Sequence, residues 1–251
     1  MRIATIEYPE EVGTVCGRFV SASPPDELAR YFGAEPPEPG DVLPINYNVA
    51  PTNDIYAVRE QPNHVRKLDS FHWGLVPMWA KDTKIGSRMI NARGETVAQK
   101  NSFKRPLASR RCLVPADGFY EWKVVGMNDK GKPHKQPYFI HSTDGEPLAM
   151  AGLWEQWRGP ERKWEEALRS VTIITTAANG FMTDIHDRMP VFLPPQAWDM
   201  WLDPGFDDVD VLEGVLARAP ESLLEAHMVD PKVGKVSNKG PENTEPYTPS
   251  S

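Results

Sequence analysis

The sequence predicts a sheet-rich fold of mixed α and β elements in one domain, on three observations. The chain holds 25 prolines in 251 residues, which suits loops and strand edges better than helix interiors. Strand-length segments recur between turn residues along the chain. No repeat or shift in composition marks a domain boundary, and the chain is long enough to bury one substantial core.

The elements follow in order. Residues 1–15 have weak periodicity and look unlike the rest, as a tail or short extra strand. A strand is expected over Gly17–Ser21. Ser23-Pro24-Pro25-Asp26-Glu27 starts a helix, with a cap, proline in the first turn and acids against the dipole; it should stop at Gly33. After a proline-rich loop and an extended Tyr47–Thr52, the segments Asp54–Arg59 and Val65–Trp73 form a hairpin pair. Trp73–Trp79 is aromatic but broken by Gly74 and Pro77, so it is not a regular helix. Ile90–Thr96 leads into a short helix to about Lys100. Strands are expected over Arg111–Pro115, Phe119–Lys123, Tyr138–His141, Leu148–Trp154 and Ser170–Thr176. Gly126–Lys135 is a hydrophilic hairpin tip with no evident chemistry. Thr175–Asn179 ends a strand and enters a helical turn. Helices are expected from Pro194 through Trp201 and over Asp207–Ala217, and residues 241–251 are expected to be a disordered tail.

Composition narrows the function. Apolar residues make up 40% and charged residues 25%, ordinary values for a soluble globular protein. No apolar run is long enough to span a bilayer and residues 1–11 are no signal peptide, so a cytoplasmic location is expected. A net charge of −7 argues against general coating of polyanions, although a local arginine cluster can still grip a few phosphates. Two cysteines, Cys16 and Cys112, are too few for a disulfide framework and lack CxxC spacing. No histidine pair has HExxH spacing, and no phosphate loop, GxSxG elbow or kinase signature occurs, so neither metal nor cofactor is expected.

Candidate residues lie at scattered places. Cys16 by itself reads as a buried structural thiol, but Arg18, two residues on and on the same strand face, offers the positive charge that favours a thiolate. In Gly118-Phe119-Tyr120-Glu121-Trp122, strand alternation puts Glu121 with Phe119 and leaves Tyr120 and Trp122 opposite. A carboxylate flanked by aromatics is partly desolvated, which raises its pKa and suits proton transfer; an edge-strand glutamate facing water is the plain alternative. His186 sits in a loop before Arg188. Asn91 and Arg93 alternate on an extended segment. Trp73 and Trp79 are core residues by default, and Cys112 reads as a buried apolar thiol.

Together, Cys16-Gly17-Arg18-Phe19, Tyr47-Asn48-Val49-Ala50-Pro51, Trp73-Gly74-Leu75-Val76-Pro77, Asn91-Ala92-Arg93-Gly94-Glu95-Thr96, Phe119-Tyr120-Glu121-Trp122 and His186-Asp187-Arg188-Met189-Pro190 closely resemble the SRAP family, the SOS response-associated peptidases or abasic-site processing proteins. The motifs keep the family's order over residues 16–240, and Val233–Asn238 fits more loosely. The resemblance implies an α+β domain with a barrel-like core of curved antiparallel strands and peripheral helices. It implies a protein of the DNA-damage response that binds single-stranded DNA and crosslinks to abasic sites by lyase-like Schiff-base chemistry, and that acts as a monomer. Cys16 would be the crosslinking residue, Asn91 a holder of the linkage, and Glu121 and His186 the proton-handling pair. Arg18, Arg93 and Arg188 would grip phosphates; Pro51, Trp79 and a threonine at 175 or 176, with Thr176 preferred, would line the DNA channel. Ala80 stands where some members have a second tryptophan.

This chemistry makes a demand on residues 1–15. An N-terminal cysteine offers an amine and a thiol, which together close a thiazolidine on an aldehyde; an internal Cys16 offers no amine. Residues 1–15 are therefore expected to be missing from the active protein, through initiation at Val15 from a GTG codon or, as the alternative, through self-cleavage before Cys16. A cysteine peptidase and a non-covalent single-stranded DNA-binding module are the competing functions.

Overall fold

The computed structural model describes residues 16–160 and 165–249; the expectations for residues 1–15 lie outside these. In chain order the elements are β1 (Phe19–Ser21), α1 (Pro25–Phe32), β2 (Asn46–Val49), β3 (Asp54–Glu60), β4 (Arg66–Trp73), β5 (Asn91–Arg93), α2 (Asn101–Ser109), β6 (Arg111–Ala116), β7 (Gly118–Met127), β8 (Pro133–Ser142), β9 (Leu148–Trp157), β10 (Leu168–Ala177), α3 (Gly180–Thr183), β11 (Arg188–Pro190), α4 (Pro195–Leu202), α5 (Val209–Gly214) and β12 (Leu224–Met228). Strands β4, β3, β6, β9 and β10 form a closed ring, because β9 pairs with both β6 and β10. Short strands β5 and β11 add to β10, and a second sheet runs β12-β8-β7-β1-β2. The expected α+β fold with a barrel-like core is what the chain adopts.

Strand alternation divides the apolar residues between two cores. Ile55, Ala57, Phe71, Trp73, Val114, Met150, Val171 and Ile173 join Phe19 and Phe119 of the second sheet in one cluster. The opposite faces, through Tyr56, Val58, Leu113, Ala151 and Ile174, pack under Leu28 and Phe32 of α1, Leu107 of α2, Trp198 and Trp201 of α4 and Leu212 of α5. Cys112 is buried in the first cluster, as expected.

Three expectations need correction. The helix after the Asn91 segment begins where it was expected to end: Gly94–Thr96 forms a 3-10 turn and the α-helix runs Asn101–Ser109, with Pro106 inside it. Proline masks this helix in the sequence, while Arg111 donates to the Leu107 and Ala108 carbonyls and satisfies its C-terminal end. At α1 the side-chain cap is missing, because Ser23 turns to Asp117 instead. Residues 241–249 are ordered rather than a loose tail. Pro241–Thr244 makes a 3-10 turn, Asn243 is buried and bonded to the Asn238 and Gly240 carbonyls, and the Tyr247 N–H donates to Met228.

The Trp73–Trp79 segment leaves the barrel through two crossed glycines. Gly74 sits at φ +128, and a Cβ on Gly86 would lie 2.6 Å from the Gly74 carbonyl oxygen. Backbone cannot step aside as a side-chain tip can. Gly86→Ala is therefore expected to cost about 1–3 kcal/mol and lower Tm by several degrees in a thermal melt; an unchanged Tm would contradict this close approach.

Candidate active site

Cys16 and Glu121 meet through strand register. Phe19 pairs with Phe119 across β1 and β7, and the Tyr120 N–H donates to the Arg18 carbonyl. Continuing that antiparallel register sets Gly17 opposite Glu121 and Cys16 one residue beyond it, near enough for a direct contact. The Cys16 backbone N–H donates to Glu121 Oε1 at 2.6 Å. Cys16 is fully buried and has φ +47, a left-handed conformation uncommon outside glycine.

Glu121 lies as alternation predicts. Phe119, on its own face, packs into the first core, while Tyr120 and Trp122 belong to a separate cluster on the other side. Only 2% of Glu121 is exposed. Burial pushes its pKa up from 4.5 to about 8, against the N–H groups of Cys16 and Trp122 that favour the anion. Glu121 therefore changes protonation near neutral pH.

The expectation for the Cys16 thiol is corrected. Burial first, and the neighbouring Glu121 second, raise its pKa well above the usual thiol value. Arg18 does not offset this. Its guanidinium turns to Asn48 Oδ1 at 3.0 Å and to the Val233 and Gly234 carbonyls at 3.2 Å each. Asn48 in turn donates to the Val233, Lys235 and Asn238 carbonyls. Arg18 thus anchors the C-terminal loop, which gives the loosely matching Val233–Asn238 stretch a structural reason.

His186 follows α3, and burial lowers its pKa more than Asp187 raises it. Its Nδ1 lies 2.9 Å from an Asp187 carboxylate oxygen and 3.2 Å from the Arg188 N–H. A protonated Nδ1 suits the first contact and a bare Nδ1 the second, so the ring has a partner in either state. Asp187 and Lys135 act on the pKa of both Glu121 and His186, placing the two groups in one electrostatic neighbourhood.

Beside them, β5 runs parallel to β10 with Asn91 opposite Ile173 and Arg93 opposite Thr175. Ala92 faces the outer core, so Asn91 and Arg93 share the other face, and Arg93 is exposed. Arg188, opposite Ala177 on β11, donates to Thr175 through both its carbonyl (2.9 Å) and its hydroxyl (3.2 Å). It also forks onto Glu95 at 3.1 and 3.0 Å. The threonine that joins this cluster is Thr175; Thr176 is one residue out of phase and pairs with Met189. Pro51 is half-buried in a turn before β3, where Thr52 takes φ +69.

Trp79 is 60% exposed, not a core residue like the fully buried Trp73. It lines a groove with Arg105 and Glu155, and neither Arg93 nor Arg188 is among that groove's residues. The Ala80 carbonyl accepts from Trp157 Nε1, and Trp157 pairs with Leu168 at the start of β10. Thr175 lies seven residues along that strand, roughly 23 Å away. Sequence reasoning assigned no role to Asn48 and Glu95, although both lie inside quoted motifs. Lys135 carried no signal, because only the fold brings the hairpin beside Glu121.

Comparison with known proteins identifies the family. The model of the SOS response associated peptidase (SRAP) family matches residues 15–236. The abasic site processing protein YoqW of Bacillus subtilis is 40% identical over 93% of this chain and all of its own length. YedK of Escherichia coli, with the same descriptive name, is 34% identical over 92% of this chain and all of its own. HMCES of Pongo abelii, likewise an abasic site processing protein, is 30% identical over 91% of this chain and 75% of its own. A crystal structure of a protein from Bacteroides thetaiotaomicron superimposes with a TM-score of 0.81 at 24% identity, covering 93% of this chain and all of that one, and supports the fold alone. The fold and site define a barrel-cored protein with a cysteine–glutamate pair at the mouth of β1. The chain belongs to the SRAP family.

Proposed function

We propose that the protein recognises abasic sites in single-stranded DNA and bonds to them covalently through Cys16 at its N-terminus. The 2.6 Å contact between the Cys16 nitrogen and Glu121 carries this reading. Once that nitrogen is an α-amine, the Glu121 carboxylate lies where it can accept the amine's proton. The neutral amine adds to the C1′ aldehyde of the opened sugar, and loss of one water leaves an imine. The Cys16 sulfur then bonds to the imine carbon, its proton passes to nitrogen, and a five-membered thiazolidine results. Ring closure is intramolecular, which gives it a high effective concentration.

In this scheme Asn91 holds the linkage and His186 supplies the proton for the departing hydroxyl. Arg93 and Arg188 hold phosphates, which position a strand without reading its sequence, while Arg18 supports the site through its loop. Pro51 and Thr175 line the path, and Trp79 stacks a base several nucleotides from the lesion, with about 1–3 kcal/mol at stake. The protein acts as a monomer in the response to DNA damage.

A second reading concerns the intact chain. A protonated Glu121 at the Cys16 nitrogen also suits hydrolysis of the Val15–Cys16 bond, in which water adds to the carbonyl carbon of residue 15 and Glu121 gives its proton to the departing nitrogen. This peptidase activity would create the reactive terminus. Incubation of protein beginning at Cys16 with abasic and with undamaged single strands, followed by denaturing electrophoresis, separates the possibilities. A heat-stable shifted band with the abasic strand alone is expected. Its absence would reject crosslinking, and turnover of an unrelated peptide would point to a general peptidase.

A further inference from the structure

The hairpin of β7 and β8 runs past the body of its sheet. β1 pairs with β7 at Gly118 and Phe119, and β12 reaches only Tyr138 on β8. From Lys123 to Lys135 the two strands pair solely with each other among the described residues, through Val124↔Lys135, Gly126↔His134 and Met127↔Pro133. Every residue from 124 to 135 is exposed. Gln136 roots the arm, donating from Nε2 to the Pro137 and Val229 carbonyls. The five residues from Lys123 to Met127, four of them paired across the ribbon, give it a reach of about 17 Å.

Two features distinguish this arm from a solvated turn. Lys123, Lys130, Lys132 and Lys135 stand against a single acid, Asp129, in a chain of net charge −7. Val124, Val125 and Met127 are 50–70% exposed on it, although a two-stranded ribbon in water gains little from apolar side chains it cannot bury. The arm continues the two strands that pair Glu121 with Tyr138, and Lys135, opposite Val124 at its base, is near enough for its charge to bear on both Glu121 and His186.

We propose that the Lys123–Gln136 arm is a second nucleic-acid contact, its lysines gripping the phosphodiester backbone of the strand beyond the lesion while Val125 and Met127 cover sugars and bases. This rests on the single-strand reading above. Charge complementarity favours it: in a protein acidic as a whole, the basic ribbon extends from the strand that carries Glu121, close to the residues assigned to the lesion. Lys130 and Lys132 lie at the tip, and the proposed reaction uses neither.

The test measures binding of a long undamaged single strand to wild-type and K130A/K132A proteins as a function of salt, with the adduct on a few-nucleotide abasic strand as control. Each lost phosphate contact makes the slope of log K against log salt shallower by about 0.7 for a single strand. The double variant is expected to bind the long strand with a slope shallower by about 1.4, at unchanged Tm and with unchanged adduct yield on the short strand. An unchanged slope would overturn the arm contact while leaving the crosslinking reading intact. Loss of adduct on both proteins, with the slope change present, would reject crosslinking and retain the arm.

Discussion

Replacing Cys16 by alanine, in protein that begins at residue 16, is expected to abolish the heat-stable complex with an abasic strand. Alanine keeps the α-amine and its place beside Glu121, so an imine can still form. It lacks the sulfur that closes the ring, so the imine hydrolyses on denaturation. Borohydride, which reduces an imine to a stable amine, should restore a covalent band in the variant. Cys16 is fully buried and fills the first core, and exchange for the smaller alanine costs some stability without removing the nitrogen. A durable adduct formed by Cys16→Ala without reductant would show that another group makes the bond.

Glu121→Gln is expected to act on both rate and stability. The amide cannot take up the proton of the Cys16 amine, and loss of a general base commonly costs about 10²–10⁴-fold in rate. The stability effect has a definite sign. Burial raises the pKa from 4.5 to about 8, so between those values the folded chain holds a proton that the unfolded chain has released. The contribution of Glu121 to stability is then fully present below about pH 4.5 and is lost as pH rises toward 8, by on the order of a few kcal/mol. The glutamine amide does not titrate. Melting curves of the intact chain should show the variant gaining on wild type from pH 5 to pH 8; parallel curves across that range would contradict a buried, titrating Glu121. In processed protein the Cys16 ammonium pairs with the Glu121 anion, favours it, and shrinks the difference.

Much of this was legible in the sequence because local rules and tertiary demands coincide. The β3–β4 hairpin and α1 with its stop at Gly33 follow from alternation, proline and glycine. Glu121 was readable because two-residue periodicity places it on the core side between aromatics, and burial does the rest. Three things were not legible. Pro106 hides α2, whose end is satisfied by Arg111 from the next strand. Arg18 looked like a partner for Cys16 because the two are near in sequence, yet Asn48 and the Val233–Gly234 carbonyls take its donors from more distant parts of the chain. The basic arm read as an idle hairpin tip because its meaning depends on standing beside Glu121 and His186, and pairing across the sheet creates that placement.

Intact mass spectrometry of the native protein before and after reaction with an abasic strand bears most directly on crosslinking by an N-terminal Cys16. The protein alone should have the mass of a chain beginning at Cys16, and the adduct should weigh the sum of that chain and the strand less one water. A protein that retains residues 1–15 and still gains the mass of the strand would contradict chemistry at the Cys16 nitrogen.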